Sequence, residues 1–310
     1  MKKSVLVIAL AFGVSGAFAQ DLTSKKGEPF LPEAEDWAIS MNADPIFYFI
    51  GNAFNNNSDN AAPGVNWMNQ NQTIIGKKFI DDKNAYRVVV RLGFNSSSYK
   101  NFVTDNANTS AVFFPAQAAE VEDKFKMSST NVGIGVGKEM RRGKTRLQGF
   151  YGADAMIWIS SSKMKYEYGN EMSATTGSGT TTNPNSTQWN ADGTVASENG
   201  VNNRELQSKS GMTFGIGVRG FIGAEYFIFP KIAIGAEYGW GIGFQTMGKG
   251  KVTTEEQGLD SNGDNVVAEI ERESAGASKF GIDTDLNQGN VFGFKGSNTG
   301  TASLKVTFHF

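Results

Sequence analysis

Between residues 211 and 246 apolar and polar positions alternate along the chain. Met212, Phe214, Ile216, Val218, Gly220, Ile222, Ala224, Tyr226 and Ile228 hold the even positions, while Thr213, Gly215, Gly217, Arg219, Gly223 and Glu225 hold odd ones. Successive side chains of a strand point to opposite faces, so a period of two predicts a strand with one apolar side. After a break at Phe229-Pro230-Lys231 the pattern resumes. Ile232, Ile234, Ala236, Tyr238, Trp240, Ile242 and Phe244 lie on one face, and Ala233, Gly235, Glu237, Gly239, Gly241 and Gly243 on the other. The two runs predict a long hairpin that is apolar on one side only.

The same period recurs along the chain. A first strand is expected from Trp37 to about Ile50, with Trp37, Ile39, Met41, Ala43, Phe47 and Phe49 opposite Ser40, Asn42 and Asp44. Pro45 is a defect in it, tolerable at an edge or bulge. Thr73 to Ile80 forms a shorter strand in which Ile75 and Phe79 share a face with Lys77 between them. Next come Tyr86, Val88, Val90, Leu92 and Phe94 against Arg87, Arg91 and Gly93, then Val132, Ile134 and Val136 against Gly133, Gly135, Gly137 and Glu139. A fifth strand sets Leu147, Tyr151, Ala153, Ala155, Ile157 and Ile159 against Arg146, Gln148, Phe150, Asp154, Met156 and Trp158. The last alternates Ala302, Leu304, Val306, Phe308 and Phe310 with Ser303, Lys305, Thr307 and His309.

Eight strands result, and their connections alternate in length. Tight turns fall at 81–84, 141–144 and 229–231, and long polar loops at 51–72, 99–125, 162–208 and 247–300. If both termini share one side of the sheet, every short turn lies with them and every long loop projects from the opposite side. That asymmetry predicts an all-β transmembrane antiparallel up-and-down β-barrel with short periplasmic turns and long extracellular loops. A sheet with an outward apolar face must close, because hydrocarbon cannot satisfy an open edge. A soluble lipocalin-like barrel or a sandwich would bury the apolar faces instead. The polar loops leave open whether further strands within them lengthen the wall or raise the count to ten.

The amino terminus supplies an address. Lys2 and Lys3, the apolar run Val5 to Ala11 and the small-residue site Ala17-Phe18-Ala19 read as a secretory signal peptide over residues 1–19. A polar lead-in follows over 20–36, and the barrel is expected over 37–310. With no cysteine among 310 residues, neither a disulfide framework nor cysteine lipidation is available. A formal net charge of -2 offers nothing to nucleic acid.

Charge changes the picture of the interior. Asp44, Arg87, Arg91, Glu139, Arg146, Asp154, Arg219, Glu225, Glu237 and Lys305 are expected to face inward, acids and bases in balance. An eight-stranded barrel is only wide enough for its own side chains or one small ligand, so these charges are expected to pair into a filled lumen. The alternative is a narrow polar pore for small solutes or ions, with Arg87, Arg91 and Arg219 selecting. A single histidine, His309, and the absence of cysteine leave no triad and no histidine-based metal cluster, so no enzyme activity is expected. Asp260, Asn262, Asp264 and Glu271 form a weak calcium candidate in the last loop, because oxygen ligands alternate there. Its glycine, Gly263, sits at the fourth place rather than the sixth. Asp283, Asp285 and Asn287 form a second oxygen-rich patch.

The final residues Leu304-Lys305-Val306-Thr307-Phe308-His309-Phe310 resemble the carboxyl-terminal signature of Gram-negative outer-membrane proteins. The chain as a whole resembles small outer-membrane barrels of the OmpA transmembrane domain, OmpX and OmpW type, and its lead-in Pro32 to Ile39 is similar to barrels of Bacteroidota. The resemblance implies that Val306, Phe308 and Phe310 carry the signal read by the barrel-assembly machinery. It implies location in the outer membrane, contact with its lipid and lipopolysaccharide, and envelope or cell-surface partners engaged through the loops. It does not choose among anchoring, adhesive, small-solute and structural roles. No peptidoglycan-binding domain is expected after the last strand, a departure from full-length OmpA.

Overall fold

The structure is a computed structural model and describes residues 22–43, 73–108, 113, 116–174, 183–283 and 302–310; the signal segment, Asp44, Asp285, Asn287 and the expected continuation of the first strand to Ile50 lie outside them. In chain order the described strands are β1 (Trp37–Asn42), β2 (Thr73–Phe79), β3 (Asn84–Thr104), β4 (Glu120–Arg142), β5 (Leu147–Glu167), β6 (Asn185–Trp189) and β7 (Val195–Gly200). They continue with β8 (Asn203–Lys209), β9 (Thr213–Phe229), β10 (Ile232–Met247), β11 (Gly250–Leu259), β12 (Asn265–Ser274), β13 (Ala277–Asp283) and β14 (Ala302–His309). Every pairing among them is antiparallel, and the fold is all-β.

Eight strands close a ring. β1 bonds β2, β2 bonds β3, and the chain of partners runs through β4, β5, β9, β10 and β14 back to β1. Closure is completed at the lower end, where the Trp37 and Phe310 backbones exchange N–H···O bonds of 2.8 and 2.9 Å. No strand edge is left along this part of the ring, which removes the pairing liability of an open sheet. The three expected tight turns all lie at this end. In the two-residue connection between β9 and β10, Lys231, following Pro230, takes the left-handed conformation (φ 61°) of the second central residue of a type II turn.

The polar stretches are where expectation and structure part. β3 and β4 stay paired as far as Thr104↔Glu120, so 99–104 and 120–125 are strand rather than loop. The segments 162–208 and 247–300, expected as loops, contain β6, β7, β8, β11, β12 and β13, and β5 itself runs to Glu167. β5 changes partner from β9 to β8 above Ser160, so β8 stacks on β9 as one column. β11 continues β10 in the same way. β13 and β14 both pair with β10, at Gly241↔Asp283 and Tyr238↔Ala302, and share one column. β8, β11, β12 and β13 heighten the wall, β6 and β7 form a separate two-stranded sheet, and the ring remains eight.

Alternation sorts the ring's two faces. Val88, Leu92, Phe94, Ile134, Val136, Ile157, Ile159, Ile216, Val218, Ile222, Ile242 and Phe244 are exposed on the outside. Arg87, Arg91, Glu139, Asp154, Glu225, Glu237 and Lys305 are buried on the inside. Glycines on the inner face make room for their bulky neighbours. A methyl group on Gly215 would enter the Trp158 indole, and one on Gly223 would enter the Phe150 ring. The interior is thus packed by pairing large side chains with absent ones.

Candidate functional site

Four carboxylates and five cations meet in the middle of the ring. Glu139 accepts from Lys77 at 3.0 Å, Arg87 at 3.1 Å and Arg141 at 3.2 Å. Glu225 lies 2.8 Å from both Lys77 and Arg141. Glu237 bonds Arg87 at 3.1 Å and both Arg219 and Lys305 at 2.8 Å, and Asp154 lies between Arg87 at 3.4 Å and Arg219 at 3.5 Å. Each acid therefore touches at least two bases contributed by different strands. Charges buried this deeply persist only when so compensated, and removing one member strands the others. The Arg87 guanidinium also stacks on Phe221, 3.7 Å from the ring centroid.

Seven of the ten residues expected inside, Arg87, Glu139, Asp154, Arg219, Glu225, Glu237 and Lys305, form this network. Arg91 is buried four residues further up β3 from Arg87. Arg146 stands apart at the lower rim, its guanidinium 3.6 Å from the Phe30 ring centroid. Lys77 and Arg141 are members that sequence reasoning left out. Lys77 shares the parity of Ile75 and Phe79, which was signal enough. Arg141 was expected in a turn, but β4 continues to Arg142 and its parity matches Glu139.

The network is closed below and above. The lead-in folds across the lower mouth, joined by a Thr23↔Pro29 bridge and anchored by the Glu35 N–H to the Phe79 carbonyl at 3.0 Å. It buries Phe30 against Phe227 and Ala233. His309 packs between Phe79 and Phe227, with centroids 5.5 and 5.1 Å away, so it is a floor residue. The lead-in is held by an ion pair between Lys231 and Asp36. Burial opposes ionisation of Asp36, yet donation from the Glu33 N–H and from Lys231 leaves its carboxyl below the usual range. Above the network, Ile75, Val89, Met156 and Trp158 form an apolar layer. Higher still is a cavity of about 290 Å³ lined by Ser129, Asn131, Ser160, Ser162 and Ser210.

A second cluster holds the upper wall together. Phe125 is stacked among Tyr99, Tyr166 and Trp189, at centroid distances of 6.0, 4.8 and 5.8 Å. Beside it the buried Asp123 accepts from the Gly169 N–H at 2.8 Å, the Thr187 N–H at 2.7 Å and the Thr187 hydroxyl at 2.9 Å. Arg204 bonds Glu255 at 2.7 Å, donates to the Asn170 carbonyl at 2.8 Å and lies over Tyr168 at 4.5 Å. Burial pushes the Tyr168 phenol up, keeping it neutral. These contacts, with hydrogen bonds from the Asn101 amide to Thr187 and Glu198, fasten the β6–β7 hairpin onto the inner face of β3 and β4. The odd parity that Asp123 and Phe125 share with Asn131 and Gly133 marks them as inward-facing.

The calcium candidate does not assemble. The Asp260 carboxylate accepts the Asn262 and Asp264 N–H groups at 2.8 and 2.9 Å, and these bonds lower its pKa while forming the β11–β12 turn. Glu271 lies opposite Thr253, several positions down β12 from Asn265 and about 20 Å from the turn at ~3.3 Å per residue, where it pairs with Lys251 at 2.6 Å. Asp283 ends β13, and its expected companions lie outside the described residues.

Compared with protein-family profiles, curated proteins and solved structures, the chain matches none.

Proposed function

We propose that this chain is a non-enzymatic β-barrel of the outer membrane of a Gram-negative bacterium, with a plugged lumen and a tall, structured wall that serves as its interaction surface. One observation carries the reading. All eight ring strands turn apolar side chains outward while charged side chains fill the centre, which is the inverse of a protein folded in water. Leu147 to Ile159 extends about 40 Å along β5 at ~3.3 Å per residue, or about 30 Å for a strand tilted as in membrane barrels. That is the thickness of a bilayer's hydrocarbon core, about 30 Å. The tight turns and the lead-in would then face the periplasm, and the upper strands the cell exterior.

The crossed ion pairs and the aromatic floor favour a structural interior over a pore. A conduit would need a continuous aqueous path between the lower mouth and the cavity above Trp158, through the ion-pair layer. The β6–β7 hairpin and the β8–β11–β12 sheet are ordered by buried contacts, as suits a surface presented to a partner in the envelope or on another cell. The test begins with the full chain refolded into phosphatidylcholine vesicles. Heat-dependent gel mobility and protease protection of the ring strands are expected, together with no steady conductance in planar bilayers. A protein that stays outside the vesicles overturns the membrane reading, and steady conductance overturns the plug. Deleting β6–β7 or β11–β12 from a chain that still inserts should abolish co-purification of envelope partners.

A further inference from the structure

Above the apolar belt the outer face of the wall becomes basic. On β5 the apolar series ends at Ile159, and after Ser161 the same face carries Lys163 and Lys165. On β4 Ile134 gives way to Thr130 and Ser128, then Lys126. Register brings these lysines together, because residues directly opposite in an antiparallel pair share a face. Lys126 faces Lys165, Lys165 is followed by Lys163, Lys163 faces Lys209, and Lys209 faces Lys251.

Like charges opposed across strands are destabilising, so this arrangement has a cost that the fold does not need. Nearby acids relieve only part of it. Lys165 pairs with Glu167 at 2.8 Å and Lys251 with Glu271 at 2.6 Å. Lys126, Lys163 and Lys209 form no ion pair with a described carboxylate, although Glu167 interacts with Lys126 through space. All three are exposed. Lys163 lies about 13 Å along the strand from Ile159 at ~3.3 Å per residue, and its long stem can lean back toward the belt. That height is the headgroup zone of a membrane whose hydrocarbon meets the belt.

We propose that the ladder Lys126–Lys165–Lys163–Lys209–Lys251 binds the phosphate groups of lipids whose acyl chains pack on the apolar belt. The occupant is anionic at its head and apolar below, matching the sequence of surfaces that the wall presents. The proposal rests on the membrane reading above. The full chain is refolded in phosphatidylcholine vesicles doped with diphosphorylated lipid A or with its dephosphorylated form. Bound lipid is counted by native mass spectrometry, and heat-dependent mobility is read in the same samples. Retention of the diphosphorylated form is expected, and the K126Q/K163Q/K209Q variant should weaken it about tenfold or more. A K83Q/K144Q variant, altered only in the lower turns, should retain it. Equal retention of both lipids, or an unchanged triple variant, in protein that has inserted overturns the ladder alone. Failure to insert overturns the membrane reading and the ladder with it. Inorganic phosphate or a soluble polyanion displacing the lipid from the wild-type ladder while the belt stays occupied would overturn a lipid source.

Discussion

Glu237 holds three cations, Arg87, Arg219 and Lys305, each from a different strand. Its substitution by glutamine keeps the shape and removes the charge that holds those cations. Breaking one partner out of a buried ion network costs about 3–5 kcal/mol, so Glu237→Gln should lower the urea midpoint of vesicle-folded protein by that equivalent. Glu122→Gln, at a solvated pair with Lys100 and Lys124, should leave the midpoint unmoved. A Glu237→Gln protein as stable as its parent would show that the acids are not holding the cations. At this scale the sequence was informative wherever alternation was clean. Parity alone placed Arg87, Glu139, Asp154, Arg219, Glu225, Glu237 and Lys305 inside. It missed Arg141 because two arginines before Gly143-Lys144 resemble turn chemistry, and nothing local shows that the strand outlasts them.

Elements above the ring obey a different rule from those within it. A ring strand separates two environments, so its sequence alternates sharply. β8, β11 and β12 are surrounded by polar groups on both faces, and a strand in that setting has no need of an apolar period. Thr253-Thr254-Glu255-Glu256 therefore reads as loop although it forms a ladder. The order of this layer depends on a few contacts that can be broken singly. Asp123 satisfies three donors, two of them on the β6 residue Thr187. Asp123→Ala leaves the two Thr187 donors buried without an acceptor, at about 1–3 kcal/mol each. The expected result is fast proteolysis confined to 183–200 with unchanged heat-dependent mobility. Loss of both together would mean that the hairpin and the ring fold as one unit.

The β11–β12 ladder adds a pH dependence to the same layer. Hydrogen bonds from Arg272 and Thr254 lower the Glu256 carboxyl to about 2. A depressed folded-state pKa gives a contribution that is complete above the ordinary carboxylate value of 4.5 and is lost as the pH falls toward about 2. Amide exchange in 250–274, corrected for its intrinsic pH dependence, should stay flat from about pH 7 to 5 and rise below about pH 4. Arg272→Gln should remove much of that step while leaving the ring amides protected. A step of the same size in the Arg272→Gln protein would assign it to another carboxylate.

At the scale of the whole molecule, the four tryptophans among the described residues lie at four positions that the proposed membrane placement would set apart. Trp240 is exposed on β10 between Ile234 and Phe244, in the middle of the apolar belt, whereas Trp37 is exposed at the lower rim beside Phe310. Trp158 is fully buried inside the ring, and Trp189 stacks on Phe125 in the upper wall. A belt in contact with acyl chains makes fluorescence quenching depend on where along the chain the quencher sits. Variants retaining one tryptophan, refolded into vesicles of lipids brominated at defined depths, should therefore separate. Trp240 should be quenched most by bromine near the chain ends, and Trp37 by bromine near the headgroups, where aromatic girdles sit. Trp158 and Trp189 should respond little at any depth, the first because the wall shields it and the second because it lies beyond the hydrocarbon. Equal quenching of Trp240 and Trp189 would place the belt in water, and strong quenching of Trp158 would mean that lipid enters the ring. The pattern also fixes direction. With acrylamide added outside the vesicles, ready quenching of Trp37 would put the short turns on the outside, and a shielded Trp37 would leave the lysine ladder at the outer headgroups.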